Sequence, residues 1–371
     1  MRYSDAGVDI DAANRAKRRI RQLARRTFNP SVLRDVGAFG GFFAVDGLPR
    51  DAVLVSSVDG VGTKLKIAFA LNRHHSVGAD LVNHCVNDIA VHGAAPLFFL
   101  DYVASGRLRP DVVTEIVSGV AQACRANGCA LVGGETAEMP GFYPDNEYDL
   151  AGCIVGWVGR RRIIDGRGIR PGDVVLGLGS AGLHTNGYSL ARRVLIEEAG
   201  LKLEAKVPEL GRALGDELLK PHRCYWPLIK SLLDLKAAGR RLKAAGRQTG
   251  RGHTGAGSAG VLKGLVHITG GGLTENPPRI LPAGCRMEID LGSWPVPAIY
   301  PLIARLGKVP QDDMLRTFNM GIGMMVVIAE GDLDTAARLL RKRREPFWRI
   351  GRIVAGGRRA RGVQYVRAFN F

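Results

Sequence analysis

The chain has 371 residues, room for about two domains at roughly 150 residues each. Hydrophobic residues make up 46% and charged residues 23%, which excludes global disorder. No run reaches the roughly eighteen apolar residues that a bilayer-spanning helix needs. Lys and Arg number 52 against 35 Asp and Glu, a net charge of +17. That excess favours acidic partners such as phosphorylated metabolites or nucleic acid, and a general preference for Arg is an equally good source of it.

The opening MRYSDAGVDIDAANRAKRR lacks an apolar core, which argues against a secretory leader. Six cysteines (Cys85, Cys124, Cys129, Cys153, Cys224, Cys285) show neither a CxxC pair nor a short framework spacing. Zinc and disulfide readings are therefore poor, and a reducing, cytoplasmic setting is expected. Glycine is abundant, 49 residues, and clusters as GAFGGF, DGVGTK, GGET, GSAGLHTNG and HITGGG without a period. Such clusters mark bends and close approaches of backbone to something else.

Residues 1–27 are polar and basic, a short helix or a mobile arm. The run 52–58 reads as a buried strand ending at Asp59, followed by a glycine turn at Gly60 and Gly62 and a helical stretch. A helix over 77–93, a strand over 95–103 and a helix over 110–127 begun by Pro110 come next. Then follow a strand over 129–132 stopped by Gly133-Gly134, and another over 149–158. The polar stretch 160–172 is the best domain boundary. Beyond it, 173–178 is a strand leading into GSAGLHTNG and a helix from about 187, with further helices near 209–219 and 221–236. Residues 236–260 hold six Lys and Arg, no acid and almost no large apolar side chain, and read as a flexible basic surface insertion. Strands near 320–329 and 346–354 close the chain. Strands alternating with helices in both halves give an α/β or α+β protein of two domains, 1–168 and 169–371.

The segment 76–93 is the most informative. At 100° per residue, Val82, Cys85, Val86, Ile89 and Gly93 fall on one side of a helix, and Asp80, Asn83, His84, Asn87 and Asp88 on the other. The second side carries none of the long residues a solvated helix face shows. Its short oxygen donors and histidine suit metal coordination or a polar cleft, or else a hydrogen-bonded face. Asp59, at a strand end before GVGTK, could hold Mg²⁺ while backbone N–H groups and Lys64 meet phosphate. The Walker A spacing is absent, and a two-glycine turn alone is more often only a tight bend. Glu135, after Gly133-Gly134, adds a third acid. The loop SAGLHTNGYS offers Ser180, Thr185, Asn186 and Ser189 as donors, with His184 as an acid, base or donor. His267 precedes Gly270-Gly271-Gly272 in a loop of similar character. His74, His75 and His253 read as surface residues.

The runs YSDAGVDID, SSVDGVGTKLKIA, VGADLVNHCVNDIAVHGAAPLFFLDY, ALVGGETAEMPGFY, SAGLHTNGYSL, HITGGGLTENPPRILP and RTFNMGIGM together resemble the phosphoribosylformylglycinamidine cyclo-ligase (aminoimidazole ribonucleotide synthetase) family, in its order and over nearly the whole chain. The resemblance implies an ATP-dependent closure of formylglycinamidine ribonucleotide to aminoimidazole ribonucleotide, with Mg²⁺ and, as an assisting monovalent cation, K⁺. It implies a two-domain ATP-binding synthetase architecture whose N-terminal domain dimerises through its sheets, and ATP in a cleft fed by both protomers of a homodimer.

By position, the resemblance makes Asp59 and Asp88 the Mg²⁺-nucleotide ligands, with Asn87 and Glu135 nearby. Gly60, Gly62, Thr63 and Lys64, with Gly133, Gly134 and Thr136, become the phosphate-facing loops. Ser180, Gly182, Asn186 and Gly187 become substrate-binding residues, with His184, Asp88 and His267 as catalytic groups, and His267 with Gly270, Gly271 and Gly272 forms a second substrate-side loop. Two features depart from the family: Arg21 stands where a lysine is common, and the insertion 236–260 has no counterpart. Selenophosphate synthetases, thiamine-phosphate kinases and a hydrogenase maturation factor share the ATP-binding architecture. The segments HTNGYS, HITGGG and DAGVDID favour the cyclo-ligase over them. A nucleic-acid-binding role lacks an RNP1-like run, zinc spacing or helix-turn-helix signature.

Overall fold

The computed structural model describes residues 10–37, 39–235 and 260–369. The first part of YSDAGVDID, nearly all of the basic insertion 236–260 and His253 lie outside the described residues. Two compact units are formed. One comprises Met1–Ile89, Ala95–Trp157 and His184–Cys224, the other Ala90–Ala94, Val158–Leu183 and Tyr225–Phe371. Sequence alone suggested a single division at residue 168. The difference is the segment 184–224, which packs with the first unit because Asp80, Asn83 and Asn87 hold the backbone of His222 and Arg223. None of the described helices is long and apolar enough to cross a membrane, and all six cysteines are free.

In the first unit, β1 (Ala52–Gly60), β2 (Ala95–Ser105), β3 (Ala130–Glu138) and β4 (Tyr148–Gly159) make a four-stranded sheet in the order β1-β4-β2-β3. Helices α1 (Ile10–Arg25), α2 (Leu65–Leu71), α3 (His75–Ala90) and α4 (Pro110–Asn127) accompany it. The basic N-terminal segment is thus a helix from Ile10, packed on α4. β2 and β3 are parallel, and α4 supplies the crossover that a parallel pair requires. Its limits follow from sequence: Pro110 opens it, Asp111 and Arg125 sit at the ends that favour their charges, and Gly128 closes it at φ 69°.

The strand predicted to stop at Gly133-Gly134 runs on to Glu138. These glycines are strand residues paired with Leu100 and Asp101. A Cβ on Gly134 would lie 2.3 Å from the Asp101 carboxylate, so glycine here makes room for a neighbouring side chain rather than turning the chain. Further on, α5 (Tyr188–Arg192), the two-residue strands β6 (Lys206–Val207) and β7 (Arg212–Ala213), and α6 (Leu214–Leu218) complete the unit. The helices expected over 209–219 and 221–236 are shorter. Gly211 at φ 65° breaks the first. Residues 220–224 carry no regular secondary structure, their backbone taken up by α3, and α7 begins only at Trp226 (Trp226–Leu233), with Pro227 in its first turn.

The second unit is built on a six-stranded sheet, order β12-β9-β11-β5-β10-β8. Its strands are β5 (Val174–Gly179), β8 (Leu262–His267), β9 (Cys285–Asp290), β10 (Ile322–Ile328), β11 (Phe347–Ala355) and β12 (Arg361–Val366). β5 and β10 are buried along their whole length, as internal strands covered on both faces should be. With α7 go α8 (Gly272–Glu275), α9 (Ile299–Gly307), α10 (Gln311–Thr317) and α11 (Leu333–Lys342). β8, β9 and β12 were not anticipated, although CRMEID in β9 alternates between buried and more exposed positions, the period-2 pattern of a strand.

Helices α3 and α4 cross with a glycine on each side of the contact. A Cβ on Gly78 would fall 2.1 Å from the Ile116 carbonyl oxygen, and one on Gly119 would fall 2.0 Å from that of His75. Backbone, not a flexible side chain, would have to yield. Gly119→Ala is therefore expected to destabilise the protein by about 1–3 kcal/mol, read as a fall in Tm. An unchanged Tm would mean that the helices separate at no cost.

Candidate active site

Helix α3 is buried on nearly every side, polar face included. Lys64 and Asp80 are both fully buried and paired at 2.7 Å, and Lys64 Nζ also donates to the Lys220 carbonyl at 2.7 Å. Burial lowers the lysine's pKa and raises the aspartate's, so loss of charged-group hydration opposes what their attraction stabilises. Asp80 accepts the His222 amide at 2.5 Å, Asn83 donates to the His222 carbonyl at 2.7 Å, and Asn87 donates to the Arg223 carbonyl at 2.8 Å. Asp80, Asn83 and Asn87 thus form a hydrogen-bonded face. Lys64, expected to present its ammonium to phosphate, holds this joint instead.

The same helix places His84 and Asp88 beside the end of β1. His84 Nε2 lies 2.9 Å from Asp59 Oδ2 and 4.0 Å from Asp88 Oδ2, and the Ser57 hydroxyl donates to Asp88 at 3.1 Å. Burial alone would lower the His84 pKa, but its hydrogen bond to Asp59 and the neighbouring carboxylates raise it overall. Burial likewise works to raise the Asp59 pKa, and His84 and the Gly60 amide outweigh it, leaving the carboxyl below its ordinary range. The side chains of Asp59 and Asp88 remain 41% and 27% exposed. Two partly exposed carboxylates on one imidazole are hard oxygen donors, and they fit Mg²⁺, which takes few protein ligands and keeps positions for water and phosphate oxygens.

Gly133, Gly134, Glu135 and Thr136 lie elsewhere. They line a cavity of ≈ 590 Å³ with Lys17, Arg21, Gly40, Gly41 and Asp101. β1 and β3 are opposite edges of the sheet, about 14 Å apart over three strand spacings. Glu135 therefore does not join Asp59 and Asp88 as a third acid within one chain; its carboxylate turns back to accept the Thr136 amide at 2.8 Å. Asp101, which sequence reasoning missed, is a buried carboxyl whose pKa burial raises to about 7.

The loop after β5 is held at both ends. Ser180 donates to Asn319 at 2.9 Å, and the Gly182 carbonyl accepts from Asn319 and the Tyr300 hydroxyl at 2.9 and 2.8 Å, all in the second unit. His184, 1% exposed and at φ 63°, begins the part that belongs to the first unit. Its ring stacks on His222 with centroids 4.0 Å apart. Among the described residues the Asn186 side-chain nitrogen is buried without a hydrogen-bond partner. Gly187, at φ 77°, starts α5, and Thr63 meets Ser189 at 3.1 Å. In the second unit His267 ends β8 opposite Met324. The Gly270–Gly272 turn beyond it is clamped by Asn276, which donates to the carbonyls of Gly270 and Gly272 at 3.3 and 2.9 Å. His74, read as a surface residue, is buried with Nδ1 2.9 Å from the Tyr148 hydroxyl.

Residues 42–158 match the family described as AIR synthase related protein, N-terminal domain, and 170–256 with 253–364 match its C-terminal domain. A phosphoribosylformylglycinamidine cyclo-ligase from Trichlorobacter lovleyi is 47% identical over 352 residues, 95% of this chain and 94% of that protein. One from an Anaeromyxobacter species is 49% identical over 96% of both. The chain belongs to the phosphoribosylformylglycinamidine cyclo-ligase family. Among solved structures, a thiamine-monophosphate kinase from Stenotrophomonas maltophilia covers 93% of the chain, and the chain 94% of it, at TM-score 0.65 and 20% identity. The hydrogenase maturation protein HypE of E. coli reaches TM-score 0.61 at 18% identity over 94% and 93%. Cyclo-ligase, kinase and maturation protein thus share a fold.

Within this cyclo-ligase family member, the buried Lys64–Asp80 pair yields a direct discrimination. Lys64→Met leaves the Asp80 charge buried and unpaired, a loss of about 3–5 kcal/mol, so Tm should fall sharply. A variant with wild-type Tm and only a raised KM for ATP would return Lys64 to the phosphate.

Proposed function

We propose that this chain catalyses the ATP-dependent cyclisation of formylglycinamidine ribonucleotide to aminoimidazole ribonucleotide, releasing ADP and phosphate. The observation that carries this reading is identity of 47–49% with phosphoribosylformylglycinamidine cyclo-ligases over nearly the full length of both chains. Fold likeness alone does not choose among the synthetases and kinases that share it. The γ-phosphoryl group of ATP passes to the formyl-amide oxygen, converting a poor leaving oxygen into phosphate. The amidine nitrogen then attacks that carbon, the ring closes, and phosphate departs with the oxygen.

ATP use is supported by fold relatives solved with nucleotides, HypE in complex with ATP and AaThiL with AMPPCP and TMP. On this reading Asp59 and Asp88 hold Mg²⁺, which when bound offsets the charge of the triphosphate, and K⁺ is a further cation to test. Ser57 and His84 orient the two carboxylates. Gly60, Gly62 and Thr63 on one sheet edge, and Gly133, Gly134 and Thr136 on the other, bind the nucleotide. Asn87 acts from beneath, fixing the backbone of Arg223. Residues 1–168 carry ATP, Mg²⁺ and dimerisation in this reading, and 169–371 carry the phosphorylated substrate, with 184–224 folded into the first unit. There Ser180 and Gly182 anchor the loop that presents His184, Asn186 and Gly187, while His267 and Gly270–Gly272 form the second substrate loop. His184 polarises or deprotonates the amidine. A cytoplasmic homodimer is part of the same reading. Leu54 and Val58 alternate outward on β1 at 58% and 70% exposure, an apolar strip suited to a second copy.

The first test is ADP release with ATP, Mg²⁺ and formylglycinamidine ribonucleotide, with the product aminoimidazole identified by diazo coupling. Substrate-dependent ADP with coloured product is expected, and ADP release driven by thiamine phosphate instead would overturn the assignment. In that assay Asp88→Ala should abolish turnover at unchanged Tm, and His184→Ala should lower kcat more than it raises KM for ATP. Val58→Lys should shift the mass measured by light scattering toward the monomer; a monomeric wild type would remove the dimer.

A further inference from the structure

The loop histidine His184 belongs to a buried row of three imidazoles that no sequence motif announced. His222 lies in the middle, fully buried, stacked on His184 at 4.0 Å between centroids and tilted 23°. His84 follows on the other side at 5.1 Å. Between His84 and His222 stands one hydroxyl. Thr185 Oγ1 is 2.7 Å from His84 Nδ1 and 3.3 Å from His222 Nδ1. The far nitrogen of His84 is the one that meets Asp59 at 2.9 Å.

A threonine hydroxyl has a single proton to give and lone pairs to receive. It donates to one of the two Nδ1 atoms, and the other must then carry its own proton to donate back. The two rings are thereby held in complementary states at Nδ1. We infer that Thr185 is a positioning residue: its hydroxyl ties the tautomer of His222 to that of the Asp59-bound His84, and His222 in turn fixes the ring of His184. Thr185 is the chain neighbour of His184, and its hydroxyl acts through His222. A ring fixed in orientation and tautomer is what a histidine needs in order to act on a substrate nitrogen. The catalytic consequence rests on the role proposed above for His184, whereas the tautomer linkage itself does not.

Thr185→Val removes the hydroxyl at nearly constant shape, and Thr185→Ser restores it. In the cyclisation assay, Thr185→Val is expected to lower kcat at least tenfold with less than a threefold change in KM for ATP, and Thr185→Ser to return kcat to within threefold of wild type. Nitrogen-15 correlation spectra of labelled histidines should show His84 and His222 with opposite Nδ1 states in wild type and Thr185→Ser, and lose that opposition in Thr185→Val. Wild-type kcat in Thr185→Val, equal losses in the Val and Ser variants, or matching Nδ1 states in wild type would each overturn the proposal. Should Thr185→Val not fold, His222→Phe keeps a ring against His184 without an acceptor for Thr185. It should show the same loss of kcat, and wild-type turnover would overturn the proposal. A wild type that shows complementary tautomers but no cyclisation would refute the function and leave the linkage standing.

Discussion

Much of the first unit hangs on a helix whose polar face is largely withdrawn from water. α3 buries an aspartate, an asparagine and a histidine along with its apolar side and half-buries a second asparagine, Asn83, and each of these groups has to find hydrogen bonds inside the protein. Asp80 finds Lys64 and the His222 amide; Asn83 and Asn87 find the carbonyls of His222 and Arg223. The segment 220–224 is consequently sewn to the helix through its backbone, which is why that stretch belongs to the first unit although most of the chain after residue 158 does not. Only the outer end of the face, where Asp88 and Asp59 flank His84, keeps exposed carboxylate oxygen for a ligand. Structural satisfaction at one end and open donors at the other are successive turns of one helix.

Glycine serves two physical ends here that composition does not separate. At Gly187, Gly271 and Gly272 the backbone has positive φ, and glycine is there for conformation. At Gly78, Gly119 and Gly134 it is there for space, because a methyl group would meet a carbonyl oxygen or the Asp101 carboxylate. The pair Gly133-Gly134 shows how the second use mimics the first: two adjacent glycines after an apolar run look like a strand end, yet the strand continues and the missing side chains admit Asp101 from the next strand.

The helix face 76–93 was legible because the absence of long side chains on it is a compositional fact, and the start of α4 followed from Pro110. The choice between a ligand face and a hydrogen-bonded face was not legible, since the partners come from residues 220–224, more than 130 positions away. Lys64 illustrates the same limit. GVGTK can be read as a phosphate loop or as a plain bend, and only the burial of Asp80 beside it reveals the partner of Lys64. His222 and Asp101 carry no local signature at all: one sits in an irregular stretch, the other within a strand, and each gains meaning from what the fold places against it. β9 is different, because its alternation was present to be read.

The sheet order sets a further constraint on how the proposed nucleotide site is assembled. Asp59 ends one edge strand and Gly133–Thr136 lie on the other, with β4 and β2 between them. A single metal ion cannot bridge that span, so the two groups contact separate parts of a nucleotide or separate nucleotides. The first arrangement within one chain requires a nucleotide to lie across the sheet. Two copies joined edge to edge along β1 would leave each Asp59 farther from the partner subunit's β3 than from its own, so pairing at that edge does not by itself close the gap.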